Sequence, residues 1–279
     1  MENNVGLLYI VPTPIGNLED ITLRALNILR SVDLIACEDT RHTLKLLNHY
    51  GIQAQRISYH EHNERQRTGE ILEKIERGAK VALVSDAGMP VISDPGDILV
   101  KAALEASISV VVLPGANAAL TALVGSGLPA KKFSFQGFMP RKSTEIKEVL
   151  QRAMGLADTT IFYESPKRLL RTLEEIQILN PDWKIAVARE LTKLHEEIHR
   201  GSVTEILDYF SEFGVRGEIV LLLEGGASKP PSQQDAIEAM ERLMEEGLSH
   251  SQAVKQVAKE LGMKRNELYG LSIPGRSNS

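Results

Sequence analysis

Cysteine, aromatic residues and long apolar runs are scarce in this chain of 279 residues. Its one cysteine, Cys37, has no partner for a disulfide within the chain, and it lies in the apolar run DLIAC. This predicts a buried structural thiol and a reducing compartment. No apolar run approaches the ~20 residues of a membrane helix, and MENNVGLL has no basic segment before an apolar core, unlike a secretory signal. We therefore expect a cytoplasmic protein.

An excess of positive charge is also lacking. The formal net charge is −5, with 32 basic and 37 acidic side chains. Proteins that coat nucleic acid bind mainly by neutralising phosphates, so this balance argues against that class. It leaves room for an enzyme that meets structured RNA through one local basic cleft. The length and the hydrophobic fraction of 43% suit two globular domains that each bury a core.

The most informative stretch is LVSDAGMPVISDPG, from Leu83 to Gly96. A predicted buried strand, Lys80–Val84, runs into a loop of small residues and prolines, which lets a ligand approach the backbone. Open α/β sheets bind ligands at this carboxyl end of their strands. The alternative is an ordinary turn in which Asp94 caps a helix starting near Pro95. Two similar loops, VPTPIGNLED and LPGANAAL, favour the ligand site.

Strands and helices are predicted to alternate through the first part of the chain, which indicates an α/β fold with a parallel sheet. A second set of elements lacks this regular alternation, so we expect a mixed sheet there. The linkers GSGLPAKK and GGASKPPS divide the chain into α/β domains at 1–127 and 128–227 and a helical tail at 228–279. The predicted strands are Leu7–Val11, Asp33–Cys37, Ile57–Tyr59, Lys80–Val84, Ile108–Leu113, Phe133–Gln136, Thr160–Tyr163, Lys184–Ala188 and Glu218–Leu223. The predicted helices are Leu18–Leu29, Thr40–Tyr50, Arg65–Arg77, Gly96–Ala106, one ending at Val124, Ser143–Met154, Pro166–Leu179, Val203–Phe213, Ser232–Glu246, Ser249–Leu261 and Lys264–Leu271.

Six motifs occur in a characteristic order: VPTPIGNLEDIT, DLIACEDTRHT, LVSDAGMPVISDPG, LPGANAALTAL, IFYESPKRL and ARELTKLHEEIHRG. Together they resemble the bacterial ribosomal RNA small subunit methyltransferase I family, a branch of the tetrapyrrole methylase superfamily. The resemblance runs from Tyr9 to about Gly225, and KRNELY near the end also fits. The corrin and porphyrin branch instead carries a GxGxGD loop in place of TPIGNLED and a GGDP loop in place of AGMP.

The resemblance implies two α/β domains of the tetrapyrrole methylase type with S-adenosylmethionine in the cleft between them, and usually a homodimer. It implies methyl transfer to the ribose 2′-hydroxyl of one cytidine in the decoding region of 16S rRNA. Three positions depart from the common family residues: Met89, where Thr is frequent, Val91, where Gly is frequent, and Asn117, where Ser or Cys is frequent. The implied cofactor contacts are Pro12, Ile15, Gly16, Ala87, Gly88, Met89, Ile92, Asn117, Ala118, Tyr163, Glu164, Glu218 and Ile219.

Such a transfer requires alignment of a hydroxyl with the methyl carbon, and a positioned base assists by taking the proton. The acidic candidates at loop edges are Glu38, Asp39, Asp86, Glu164 and Glu190, each of which also suits a helix cap or an ion pair. We select Asp86 because it borders the central loop. No metal is required; His60 and His62, one residue apart with no cysteine nearby, are interpreted as surface residues.

Basic side chains follow several predicted strands and are positioned to bind RNA phosphates at the same rim. Two of them, Lys167 and Arg168, suit equally well the solvated first turn of a helix. The predicted substrate contacts are Arg41, His42, Lys167, Arg168, Arg189 and Lys193.

Two other functions remain open at this stage. One is a methylase for a tetrapyrrole or another small molecule, since a fold does not fix a function. The low aromatic fraction of 5% and the charges of CEDTRH and YESPKR argue mildly against a macrocycle pocket. The other is a ribosome-associated module that binds S-adenosylmethionine without chemistry. For the tail, the helix, glycine and KRNELY arrangement resembles a helix-turn-helix, but a partner-binding or capping element fits as well.

Overall fold

The computed structural model describes residues 6–226, 233–245, 247–261 and 263–271. Five parallel strands form the first sheet in the order β3-β2-β4-β1-β5. Helices cover both faces of this sheet, as a parallel sheet requires. The strands are β1 Leu7–Ile10, β2 Leu34–Cys37, β3 Arg56–Ser58, β4 Lys80–Val84 and β5 Ser109–Val112, and the helices are α1 Leu23–Ser31, α2 Thr40–His49, α3 Glu64–Glu76 and α4 Asp97–Glu105.

Apolar side chains fill a core on each face of the first sheet. Leu29 of α1 and Leu47 of α2 pack in the core on one face. Ile71 of α3 and Leu99 of α4 pack in the core on the other. The Cys37 thiol is buried at the end of β2, where burial raises its pKa above the ordinary value. The predicted structural thiol is therefore confirmed.

The second sheet is mixed, as predicted, with the order β6-β7-β10-β8-β9. Strands β6 and β7 are parallel, whereas β10 pairs antiparallel with β7 and β8, and β8 pairs antiparallel with β9. The carboxyl ends of β6, β7 and β8 therefore share an edge with the amino end of β10. The strands are β6 Phe133–Phe138, β7 Thr159–Glu164, β8 Lys184–Arg189, β9 Glu197–Ser202 and β10 Ile219–Leu223; the helices are α5 Ala118–Ser126, α6 Ser143–Gly155, α7 Leu169–Leu179 and α8 Val203–Phe213.

Helix α5 joins the two sheets into one unit. It follows the last strand of the first sheet, yet its Ala122 and Leu123 pack against Ile161, Ala186 and Leu222 of the second sheet. One compact unit accordingly comprises the chain to Gln151 together with Asp158–Glu224. The division into domains at 127 and 128 falls between the last strand of one sheet and the first strand of the other, and it stays a prediction.

The second compact unit comprises Arg152–Ala157 and the chain from Gly225 onwards. Its helices are α9 Gln233–Glu245, α10 His250–Leu261 and α11 Arg265–Tyr269. Met240, Val254 and Leu268 form part of a separate small core, which confirms a helical tail. The predicted helix start at Ser232 and the predicted end at Glu246 lie outside the described residues. Among the described helices, none is both long and apolar enough to cross a bilayer.

Two predicted helix starts are wrong, and one strand was not predicted. The helix predicted over Leu18–Leu29 is a short 3-10 turn, Leu18–Asp20, followed by α1, because Thr22 accepts a hydrogen bond from the Ala25 amide and starts a new helix. Helix α2 begins at Thr40, as predicted, and Asp39 caps it by accepting from the Arg41 amide. Helix α7 starts at Leu169 instead of Pro166. Strand β9 was not predicted.

Candidate active site

A cavity of about 400 Å³ lies where the carboxyl ends of β1, β4 and β5 meet the second sheet. Its wall comes from the turns after these strands and from the adjoining edge of the second sheet. Sequence-distant turns thus converge on one space, as open α/β sheets favour. The lining residues are Ile15, Asp86, Ala87, Gly88, Met89, Ile92, Ser93, Asp94, Asn117, Ala118, Phe138, Tyr163, Glu164, Ser165, Pro166, Leu191, Gly217, Glu218, Ile219 and Val220.

Hydrogen bonds fix the turn after β4 to the turn after β1. The Thr13 and Gly88 backbones exchange two bonds, at 2.9 and 3.0 Å between nitrogen and oxygen. The Thr13 hydroxyl donates to the Ser85 carbonyl at 3.1 Å, and the Ser85 hydroxyl donates to the Gly88 carbonyl at 3.2 Å. Thr13 and Ser85 are both buried. These two turns are therefore held as one rigid wall.

The turn after β4 has an unusual backbone. Gly88 has a φ of +80°, and a Cβ there would lie 3.3 Å from Ile15 Cγ2. Val91 and Ser93 also have positive φ values, 76° and 66°. A β-branched residue in this region is strained, and such strain is maintained where the surrounding structure demands one local shape. With this backbone, Ile92, Ser93 and Asp94 all line the cavity.

Helix α5 begins at the cavity wall. The Asn117 side chain caps the helix by accepting from the Leu120 amide at 3.0 Å. Asn117 and Ala118 both line the cavity, so the positive end of the helix dipole lies at the wall. This end favours a negatively charged group of a ligand. The Asn117 oxygen is already engaged in the cap.

The second sheet contributes aromatic rings and a buried ion pair. Phe138 and Tyr163 stack edge to face, with ring centroids 5.5 Å apart. Glu164 has no solvent exposure; its oxygens contact Arg168 Nη2 at 2.6 Å and accept from the Ser165 amide and the Thr172 hydroxyl, each at 2.7 Å. These bonds fix the turn after β7. Both Glu164 oxygens are therefore engaged within the protein.

The structure brings together all of the predicted cofactor residues except Pro12 and Gly16. The Pro12 ring packs against Gly115, where a Cβ would lie 2.6 Å from Pro12 Cβ. Gly16 faces the turn after β8, and a Cβ there would lie 2.5 Å from Lys193 Cγ. Both residues shape loops beside the cavity without lining it. The ligand roles of the cofactor set stay predictions.

The predicted acidic candidates have different surroundings. Asp86 lines the cavity, and its Oδ1 accepts from the Asp39 amide at 3.1 Å. Hydrogen bonds from the Arg41 side chain and amide lower the pKa of Asp39 to about 2. The Glu218 amide and the Lys193 ammonium lower the pKa of Glu190. Asp39 and Glu190 are therefore poor proton acceptors.

The interpretation of Asp94 as a helix cap is wrong. Gly96 occupies the N-cap position of α4, and no side chain accepts a hydrogen bond there. Asp94 lines the cavity instead. Burial, followed by the negative charge of Glu38, raises the pKa of Asp94 to about 6, while a hydrogen bond with Ser85 acts in the opposite direction. Burial and Asp86 likewise raise the pKa of Glu38.

None of the predicted RNA contacts lines the cavity. Arg41, His42 and Lys167 are exposed, and Arg41 pairs with Asp39 at 3.1 Å. Arg168 is engaged by Glu164 and by the carbonyls of Met139 and Pro140. Arg189 pairs with Glu197 at 2.7 Å, and Lys193 pairs with Glu190 at 2.9 Å and Glu218 at 3.1 Å. Arg41 stays highly exposed despite its pair with Asp39, so Arg41, His42 and Lys167 are the accessible side chains of the set.

Sequence reasoning missed several lining residues. Ser93 and Asp94 belong to the quoted central motif, and their place at the cavity depends on the positive φ values of that turn. Leu191 and Gly217 come from turns of the second sheet whose strand pairing was not foreseen. The remaining missed residues are Phe138, Ser165, Pro166 and Val220. Within the described residues, no group of three His, Cys, Asp or Glu side chains is arranged to hold a metal ion.

Residues 7–207 match the family model described as "Tetrapyrrole (Corrin/Porphyrin) Methylases", and residues 230–273 match the one described as "RsmI C-terminal HTH domain". A relative from Synechocystis sp., "Ribosomal RNA small subunit methyltransferase I", is 46% identical over 96% of this chain and 98% of its own. A relative of the same name from Escherichia coli O157:H7 is 47% identical over 98% and 96%. The solved uroporphyrin-III C-methyl transferase from Thermus thermophilus, complexed with S-adenyl homocysteine, has a TM-score of 0.54 and 18% identity, covering 78% of this chain and 97% of its own.

Proposed function

Because this chain belongs to the tetrapyrrole methylase family, and within it to the ribosomal RNA small subunit methyltransferase I branch, we propose that it methylates a ribose 2′-hydroxyl of a cytidine in 16S rRNA. The chain is a methyltransferase that uses S-adenosylmethionine. The observation that carries the site assignment is the cavity itself. Turns separated by some two hundred residues of chain, from Ile15 to Val220, converge on it.

The residues of the cavity fit the proposed cofactor. Apolar side chains, Ile15, Met89, Ile92 and Leu191, suit the adenine ring and the methionine chain. The amino end of α5 suits the cofactor's carboxylate, because the helix dipole is positive there. When bound, S-adenosylmethionine supplies a methyl group on a positively charged sulfur, which an oxygen nucleophile can take. The role of this chain's residues is to align the nucleophile and exclude water.

RNA contact is proposed for exposed basic residues that follow β2 and β7. Arg41 and His42 lie at the start of α2, directly after β2. Lys167 lies in the turn after β7. Cationic side chains at such a rim position an RNA backbone without reading its sequence. Replacing Arg41 and Lys167 together should weaken binding to small subunits and flatten its salt dependence, while affinity for S-adenosylhomocysteine stays unchanged.

We further propose a homodimer in the cytoplasm, with the domain boundaries given above. Large apolar side chains are exposed at the edge strand β5 and on α5: Val112 is 57%, Leu120 48% and Val124 80% exposed. Large exposed apolar side chains favour a protein interface. A second copy of the chain is the proposed partner. The tail is proposed as a separate nucleic-acid or partner contact, since residues 230–273 match a helix-turn-helix description.

A labelled-methyl assay tests the reaction. Small subunits that lack the modification are incubated with purified protein and S-adenosylmethionine labelled on the methyl group, and the RNA is digested to nucleosides. Label in 2′-O-methylcytidine supports the proposal. Label in a base would overturn the hydroxyl assignment. Label in an added porphyrin precursor, with none in RNA, would support the small-molecule alternative, and binding without any transfer would support a non-catalytic module.

A further inference from the structure

The turn after β4 carries a second carboxylate, Asp94, which was not among the bases considered from the sequence. We propose that Asp94, rather than Asp86, accepts the proton of the attacking hydroxyl; this rests on the proposed function. Asp94 lines the cofactor cavity and caps no helix. It directly follows Val91 and Ser93, whose φ values are positive. Such local strain is typical of positions that function requires.

The other acidic groups are less suited by their contacts. Asp86 Oδ1 accepts from the Asp39 amide, which ties this carboxylate to the turn after β2. Glu164 is enclosed by Arg168, Ser165 and Thr172. Glu38 lies near Asp86 but does not line the cavity. Among the described contacts, Asp94 is therefore the lining carboxylate with neither an ion pair nor a backbone amide donor, whereas Glu218 pairs with Lys193 at 3.1 Å.

The charges around Asp94 suit a proton acceptor. Glu38 and Asp86 face it from the turns after β2 and β4, and Tyr163 faces it from β7. His60, from the turn after β3, acts on Glu38. Burial and the two negative neighbours raise the pKa of Asp94 to about 6. A base works best when its pKa is close to the working pH, so Asp94 is mostly ionised yet basic near neutrality.

The step balances with the groups named. The hydroxyl oxygen forms a bond to the methyl carbon while the carbon–sulfur bond breaks, and the electron pair of that bond stays on the sulfur. The hydroxyl proton moves to an Asp94 carboxylate oxygen. Release of this proton to solvent after the product leaves restores the base. No oxidant, reductant or metal takes part in this balance.

The test compares Asp94→Asn with Asp86→Asn and with Asp97→Asn. Asp97 is the matched control, because it is exposed in the first turn of α4 and does not line the cavity. Single-turnover methyl transfer to small subunits is measured from pH 5 to 9, and S-adenosylhomocysteine affinity is measured by calorimetry. A third readout, independent of activity, is the carbon-13 NMR titration of the Asp94 carboxyl in the intact protein.

Asp94→Asn should slow transfer about 100-fold or more and remove the fall in rate below pH 6, with unchanged S-adenosylhomocysteine affinity. Asp97→Asn should match the wild type, and Asp86→Asn should keep the acid limb of the profile. NMR should show Asp94 titrating well above an ordinary aspartate. The proposal is overturned if Asp94→Asn keeps rate and acid limb, if only cofactor affinity falls, or if Asp86→Asn alone removes the limb.

Failure of the proposed function would be visible separately. A wild-type protein that labels a different acceptor overturns the ribose assignment. If Asp94→Asn still loses that transfer together with its acid limb, the proton-acceptor role stands. If Asp94→Asn keeps both the transfer rate and the acid limb, the proton-acceptor role fails as well as the ribose assignment.

Discussion

The carboxyl of Asp94 links function to stability. Its pKa is about 6 in the folded chain against an ordinary value of 3.8, so the folded state binds this proton more tightly than the unfolded state. Protonation of Asp94 therefore makes its full contribution to the free energy of unfolding below pH 3.8, and this contribution is lost as the pH rises through about 6. Because solvent at the cavity screens part of the effect, we expect a loss of about 1–2 kcal/mol.

Asp94→Asn should consequently be more stable than the wild type at pH 7.5, by about 1–2 kcal/mol, and this advantage should shrink at pH 4.5. Urea unfolding of both proteins at the two pH values measures the difference. An advantage of equal size at both values would contradict the raised pKa. Asp97→Asn, exposed on the same segment, serves as the control.

The Glu164–Arg168 pair provides a second residue-scale prediction. Arg168→Met leaves the fully buried Glu164 carboxylate without its cation, and this should reduce the free energy of unfolding by about 3 kcal/mol. Lys167→Met, at the exposed neighbour, should change it by less than about 0.5 kcal/mol. Urea unfolding measures both. Small and equal changes in the free energy of unfolding of the two variants would show that Arg168 does not stabilise the buried Glu164 carboxylate.

For single residues, the sequence motifs predicted position well: they indicated which residues reach the cavity. They predicted less well what each side chain does there. Ala87, Gly88 and Asn117 line the cavity as predicted. The role of Arg168 was not foreseeable, since a basic residue after a strand suits RNA as well as an internal partner. The position of Asp94 depends on backbone angles that a sequence read alone does not reveal.

Two helix ends provide a matched test at the scale of elements. Helices α2 and α4 both end in a left-handed residue that donates to the carbonyl three positions back: Gly51, with φ +62°, and Ser107, with φ 58°. Glycine is the residue best suited to this position, and a serine there is strained.

Ser107→Gly should therefore stabilise the protein by about 0.5–1 kcal/mol, and Gly51→Ala should destabilise it by about 1 kcal/mol. A Cβ at Gly51 meets no atom within 4 Å, so the second effect isolates the backbone. Thermal unfolding of the two variants measures both changes. A stabilising Gly51→Ala would contradict the assigned conformation.

Elements with strong apolar patterns were predictable, whereas polar ones were not. Strand β4 matches its predicted bounds because its apolar run is uninterrupted. Strand β9, with the sequence EIHRGS, is a polar strand at the edge of the described sheet, where it pairs with β8, and its sequence has no alternating apolar pattern. The break before α1 depends on the Thr22 cap within an otherwise helical pattern.

At the scale of the whole molecule, the proposed homodimer makes a direct prediction. Val124→Glu places a charge on the exposed face of α5, where it would be buried unpaired in a dimer. Sedimentation should then give a monomer for the variant and a dimer for the wild type. Ile178→Glu, on the exposed face of α7, is the control and should leave the assembly unchanged. If the wild type and Val124→Glu are both monomers, or both dimers, the assigned surface is wrong.

The two-sheet architecture followed from the alternation of elements, and the mixed second sheet followed from its loss. The packing of α5 against the second sheet could not be predicted from this alternation, because Ala122 and Leu123 suit either sheet. That packing brings the amino end of α5 to the cavity wall. The convergence of turns from both sheets was implied only through the family resemblance.

Calorimetric titration with S-adenosylhomocysteine measures whether this cavity receives the cofactor, on which the proposed reaction depends. We expect the folded wild-type chain to bind one equivalent. Ala118→Trp, which fills the cavity at the start of α5, should abolish binding, while Thr121→Trp, outside the lining, should retain it. If the folded wild type does not bind, or if Ala118→Trp binds equally well, the cavity is not the cofactor site.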